Sequence, residues 1–157
     1  MNTEIKSILS RLEVIQSGGP WYGRSVSDVF SLTDKALAFK HPSPGSHSLI
    51  DLLYHMITWQ DFTLRRLQKI REDDPSIVDK LDWRVIDPVV HTWDKGVKEF
   101  HEKFEAIKAF LESADDSLLE EKVDYREYNF RVLLNGLADH NIYHIGQVAY
   151  VQKFLKG

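Results

Sequence analysis

Residues 90–114 read VHTWDKGVKEFHEKFEAIKAFLESA, with apolar side chains at Val90, Trp93, Val97, Phe100, Phe104, Ile107, Leu111 and Ala114. The spacing alternates three and four for seven steps, which keeps a single face of a 3.6-residue helix apolar along its length. That is the seam of a helix packed in a bundle. Asp87-Pro88, just ahead, reads as an N-cap followed by proline at the first helical position. Ser113-Ala114-Asp115-Asp116 ends the segment.

The same period recurs on both sides of it. Ile5, Ile8, Leu9, Leu12 and Ile15 predict an amphipathic first helix, stopped by Gly18-Gly19-Pro20. Val26, Val29 and Phe30, with Leu37 beyond, predict a short helix capped by Ser25 or Ser27. After the turn residues His41-Pro42-Ser43-Pro44-Gly45, a helix is predicted from Ser46–Ser48 to about Arg71. Its apolar stripe is Leu49, Leu52, Leu53, Met56, Thr63, Leu67 and Ile70, and Asp73-Asp74-Pro75 terminates it. Residues 75–87 read as a loop holding Trp83, and Glu121–Asn129 as a polar and aromatic stretch with a short extended piece around Val123–Tyr125. The last helix is predicted from Phe130 to Phe154, with Leu133, Leu134, Leu137, Ile145, Val148 and Val151 facing inward. Four long helical segments and no strand pair predict an all-α four-helix bundle with long crossover loops.

Composition narrows the function classes. The 157 residues suit one domain, and 43% hydrophobic with 28% charged content supports a core under a charged surface. A formal net charge of −4 without a basic stripe argues against nucleic acid as the main ligand. No apolar run approaches the roughly 20 residues that cross a bilayer. Met1-Asn2-Thr3-Glu4 has no signal-peptide pattern, so a cytoplasmic protein is expected. There is no cysteine, so a metal site would have to use histidines and carboxylates.

The last helix contains His140-Asn141-Ile142-Tyr143-His144-Ile145-Gly146. Two imidazoles at i and i+4 share one helical face and can reach one divalent ion. Seven histidines would give roughly 0.3 such pairs by chance, so the spacing does not establish a site by itself. A helical wheel places both on a flank of the apolar stripe, with Gln147 one turn after His144. His55 also lies on a flank, beside Trp59 and Leu52. If these flanks face each other, three nitrogens converge. Three protein ligands leave coordination positions open, as in catalytic metal sites. A packed, hydrogen-bonded histidine is the alternative for each. Asn141 stands where a His-Glu-x-x-His metalloprotease carries its glutamate, which disfavours zinc proteolysis.

Three stretches together resemble the DinB/YfiT-like superfamily. They are Gly19-Pro20-Trp21-Tyr22-Gly23, His47-Ser48-Leu49-Ile50-Asp51-Leu52-Leu53-Tyr54-His55-Met56, and His140-Asn141-Ile142-Tyr143-His144-Ile145-Gly146-Gln147. The resemblance covers most of the chain and implies a single DinB-like domain over 1–157. It implies a four-helix bundle in up-down-down-up order, often a homodimer, with a nickel- or zinc-type ion held by His55, His140 and His144. Some members of the family are thiol transferases that use the metal to activate a low-molecular-weight thiol; others are labelled metal-dependent hydrolases. The leading expectation is therefore a small-thiol S-transferase. A metal-dependent hydrolase and a metal-stabilised bundle that binds a small ligand or a protein are the alternatives. No general base stands out, so activation of thiol or water falls to the metal.

Other residues carry paired readings. Gln147 orients a metal-bound group or is a solvated flank residue. Asp51, one turn before His55, accepts from a ligand or is an exposed helix carboxylate. Trp59, Tyr22 and Trp83 are candidate substrate-binding residues. With Trp21, Tyr125 and Tyr128, the loop aromatics among them read first as the apolar plugs of bundle ends, and Trp59 also reads as core packing. Arg24, Arg84, Arg126 and Arg131 clamp an anion or are surface charges. His41, His47, His91 and His101 lack a partner at metal spacing; His91 and His101 are expected at solvent or the bundle edge, and His47 near the second helix start.

Overall fold

The computed structural model describes residues 2–72 and 74–157. Met1, at the head of the segment read for a signal peptide, and Asp73, in the expected helix terminator, lie outside them. Among the described residues the fold is all-helical: α1 Thr3–Ser17, α2 Val26–Ser31, α3 Leu49–Leu67, α4 Ile77–Asp82, α5 Trp93–Ser113 and α6 Phe130–Lys156.

Local chemistry sets most of these boundaries. Ser25 and Ser48 open α2 and α3 with full capping boxes, their hydroxyls accepting from the backbones of Asp28 and Asp51 while those carboxylates take the serine N–H groups. Asn129 caps α6 by accepting from the Val132 N–H. Gly18 closes α1 as expected.

Four expectations change. Helix α5 begins at Trp93, because Thr92 supplies its cap, while Asp87 is spent on a local turn in which it accepts from the Val89 N–H. Val90 is consequently exposed. Helix α3 ends at Leu67, followed by Lys69 at φ 55°, which turns the chain away and leaves Ile70 exposed. Within the expected 75–87 loop lies α4, whose Val78 is buried. The extended piece near Val123 amounts to one isolated bridge between Lys122 and Asn129, with Tyr125 at φ 65°.

Helix α3 packs against both α5 and α6, and α1 packs against the same two helices. Between them lie Phe100, Ile107 and Leu111 of α5, Leu52, Leu53 and Met56 of α3, Leu134 and Val148 of α6, and Ile5 and Leu12 of α1. Each such side chain contributes about 1.5–3 kcal/mol on burial. Gly96 lets α5 come close to α3, since a Cβ there would fall 2.7 Å from Leu53 Cδ2. The α3–α6 contact is the one that builds the site. No helix of the described residues is long and apolar enough to cross a membrane.

Candidate metal centre

His55 projects from α3, and His140 and His144 project from α6 one turn apart. His55 and His144 are buried at 5% and 7% exposure, deeper than edge positions, and His140 is half-buried. Their ligand atoms lie within 4.8 Å of one another. His55 Nε2 sits 2.9 Å from His144 Nε2 and 3.0 Å from His140 Nε2. Donors bonded at roughly 2.1 Å to one ion are about 3.0 Å apart at right angles and about 3.4 Å apart in a tetrahedron. The two separations from His55 therefore match donors on a single divalent ion, and the third histidine pair lies within reach of it.

The far sides of two rings fix the near sides. Gln147 Oε1 lies 2.6 Å from His144 Nδ1. An amide oxygen only accepts, so Nδ1 carries the proton and Nε2 offers a lone pair. Asp82 Oδ1 lies 2.7 Å from His55 Nδ1. That approach is bent, so charge attraction carries it more than an aligned hydrogen bond does. It still favours the proton on Nδ1. The same Oδ1 accepts from Trp59 Nε1 at 2.7 Å, which anchors the carboxylate. Two lone pairs then face each other across 2.9 Å inside the protein, an arrangement that repels unless a cation lies between them. His140 Nδ1 is buried without a hydrogen-bond partner.

Burial lowers the pKa of all three imidazoles. For His140, burial and the neighbouring His144 and His55 push it down to about 3. For His55, burial outweighs the opposing Asp82 carboxylate. For His144, burial outweighs the Gln147 hydrogen bond. The triad is thus neutral at physiological pH, the form that ligates metal.

Two cavities reach the triad from different sides. One, of about 740 Å³, touches His55 and Asp82 and carries charged and polar side chains, with His41, Asp51 and Arg84 in its wall. The other, of about 290 Å³, ends at His140 and is walled by Trp59 and Tyr128. Trp83 stacks on His55 at 3.8 Å between ring centroids, and His47 stacks on the far face of Trp83 at 3.7 Å. These contacts place Trp59 and Trp83 beside the histidines. Tyr22 is half-exposed near Arg11 and lines neither cavity.

Asp51 is occupied by its capping box with Ser48, so the carboxylate near His55 is Asp82. Sequence reasoning missed Asp82; the i, i+1, i+4 spacing of Ile77, Val78 and Leu81 was the available sign of the short helix that ends in it. Arg84 is the one arginine of the four in the polar cavity wall, held by hydrogen bonds to Thr58 Oγ1 and the Leu81 carbonyl. His101 is tied to Gln16 at 2.8 Å, and His91 packs edge-on to Tyr54 while accepting from the Asp87 N–H.

A model of the DinB superfamily matches residues 24–148. The chain belongs to the DinB superfamily. The match spans the three histidines, Asp82, Trp83 and Gln147, while α1 and Tyr22 fall outside it. No curated protein and no solved structure matches the chain. The DinB assignment and the buried histidine cluster agree in pointing to metal binding.

Proposed function

We propose that this DinB protein is a metal-dependent S-transferase that joins a low-molecular-weight thiol to an electrophilic small molecule. His55, His140 and His144 hold one divalent ion, nickel or zinc. The observation that carries this reading is the convergence of three Nε2 atoms with Asp82 and Gln147 behind two of them. As a Lewis acid, the bound ion would favour the deprotonated form of a thiol, which is the nucleophile.

The chain's own residues do the rest. Asp82 and Gln147 keep the Nδ1 protons in place and orient the imidazoles. Trp83 and His47 cover His55 and limit water at the polar opening. In the transfer, the thiol gives its proton to solvent water at the open cavity, and its sulfur attacks an electrophilic carbon. A C–S bond forms while the carbon's bond to its leaving group breaks, and the leaving group takes the electron pair. Two separate openings on the triad suit a reaction with two substrates. Asp82 and Asp51 are both engaged, so neither stands free as a base for hydrolysis.

The long helices α1, α3, α5 and α6 are read here as a four-helix bundle in up-down-down-up order forming one domain over 1–157, supported by the pairing of α3 and α1 with the same two helices. The protein is further read as a cytoplasmic homodimer; exposed Tyr143, Tyr150 and Phe154 on α6 offer the apolar surface for self-association. Elemental analysis of purified protein beside His140→Ala tests the site first. A panel of electrophiles with and without small thiols then tests the reaction. Metal in the wild type only, and turnover only with thiol, support the proposal. Equal turnover without thiol would replace transfer by hydrolysis.

A further inference from the structure

The cavity that ends at His140 differs in chemistry from the one at His55. Its wall is Trp59, Tyr128, Val132, Leu133 and Leu137, and its lining carries no ionised side chain. Its one hydroxyl besides that of Tyr128, on Thr63, is already bonded to the Trp59 carbonyl. Trp59 is held in place by its bond to Asp82, so this wall is coupled to the carboxylate behind His55. Gly136, one turn before His140, also lines the cavity, and a Cβ there would meet nothing within 4 Å. Glycine inside a helix costs roughly 0.5–1 kcal/mol relative to alanine. Packing does not require it here, and the missing side chain leaves room in front of the histidine. The cavity holds about 290 Å³, while an apolar cavity of roughly 150 Å³ accepts benzene.

We propose that this cavity between α3 and α6 is the subsite for an uncharged aryl or alkyl group, of up to about ten carbons, on the electrophilic substrate. The position of His140 in the wall would set the reactive carbon next to the triad, with the group pointing away from the polar cavity. A charged substituent would have to leave water for a wall with no counter-charge, so neutral groups are selected. The assignment of the group to an electrophile rests on the transferase reading; the binding preference does not.

The test uses p-cresol as the uncharged probe and benzoate as the charged one. Each is titrated into isotope-labelled full-length protein and followed by amide and indole NMR shifts. The expected result is saturable shifts at the Trp59 Nε1–H, Gly136 and Leu137 with p-cresol, and at least tenfold weaker binding of benzoate. Gly136→Leu fills the space from a position where the added Cβ meets nothing within 4 Å, and should abolish those shifts while metal content stays at the wild-type level. His55→Ala should remove metal and activity yet keep p-cresol binding. Shifts confined to the Arg84 side, equal binding of benzoate, or unchanged p-cresol affinity in Gly136→Leu would each overturn the subsite. Absence of thiol-dependent turnover in a protein that still binds p-cresol here would remove the transferase reading and leave the subsite standing.

Discussion

Asp82→Asn isolates the carboxylate behind His55. The substitution keeps the side chain's size and one accepting oxygen, so Trp59 Nε1 retains a partner and the fold should hold. What disappears is the negative charge 2.7 Å from His55 Nδ1. Removing the partner behind a metal-ligating histidine typically weakens metal affinity 10- to 100-fold. At about 1.4 kcal/mol per decade, that is roughly 1.4–2.8 kcal/mol. The upper half of this range applies here, because the carboxylate that loses its charge lies directly against a buried imidazole. Affinity is read by competition with a chromophoric chelator, using zinc and nickel separately at fixed pH. Asp51→Asn is the control: its carboxylate is one turn before His55 but serves the Ser48 capping box, so metal affinity should stay within twofold. If Asp82→Asn binds within threefold of wild type while His55→Ala loses the metal, the orienting role of Asp82 is refuted.

Chelation should lower stability by about 2.7 kcal/mol when free metal stands at 100 times Kd, or roughly 5–11 °C in Tm for a chain of this size; a Tm unmoved by chelator rules out a metal-stabilised fold. The metal-free protein should weaken as pH falls below 6.5, because unfolded histidines then bind protons that the depressed, folded ones refuse. Stability is full above the unfolded pKa and declines toward the folded one, so at pH 5 His140, with its pKa about 3, accounts for about 2 kcal/mol. His55 and His144 shift the same way. Urea midpoints from pH 7 to 5 should fall in the wild type and fall less in His140→Ala; identical slopes would contradict this. Gly96→Ala should destabilise by about 1 kcal/mol, since overpacking at Leu53 outweighs the gain in helix propensity. Gly146→Ala, with nothing within 4 Å of its Cβ, should instead stabilise by roughly 0.5–1 kcal/mol in the same denaturation assay.

The features readable from sequence are those set within a few residues. The seam Trp93–Leu111 needed only a period of 3.6, and all of its positions but Val97 are buried. The start of α3 falls within the expected Ser46–Ser48, because the capping box that fixes it at Ser48 is a contact over three residues. The turn at Asp87-Pro88 was misread because an Asp side chain can cap a helix or close its own turn, and Thr92 competed for the same helix. His140 and His144 face the same way because of a helix's own geometry.

What lay outside the sequence is everything that depends on which faces meet. The period places His55 on a flank of α3, but only the packing of α3 on α6 brings its Nε2 within 3.0 Å of both partners across 85 and 89 residues. Asp82, Trp83 and His47 reach the triad from two connections whose paths follow no short-range rule. By itself the sequence determined the four long helices, their apolar faces and the histidine pair, because those follow from local backbone geometry. The tertiary structure alone decided the third ligand's approach, the carboxylate behind it and the two unlike cavities, because each arises from contacts between segments far apart in the chain.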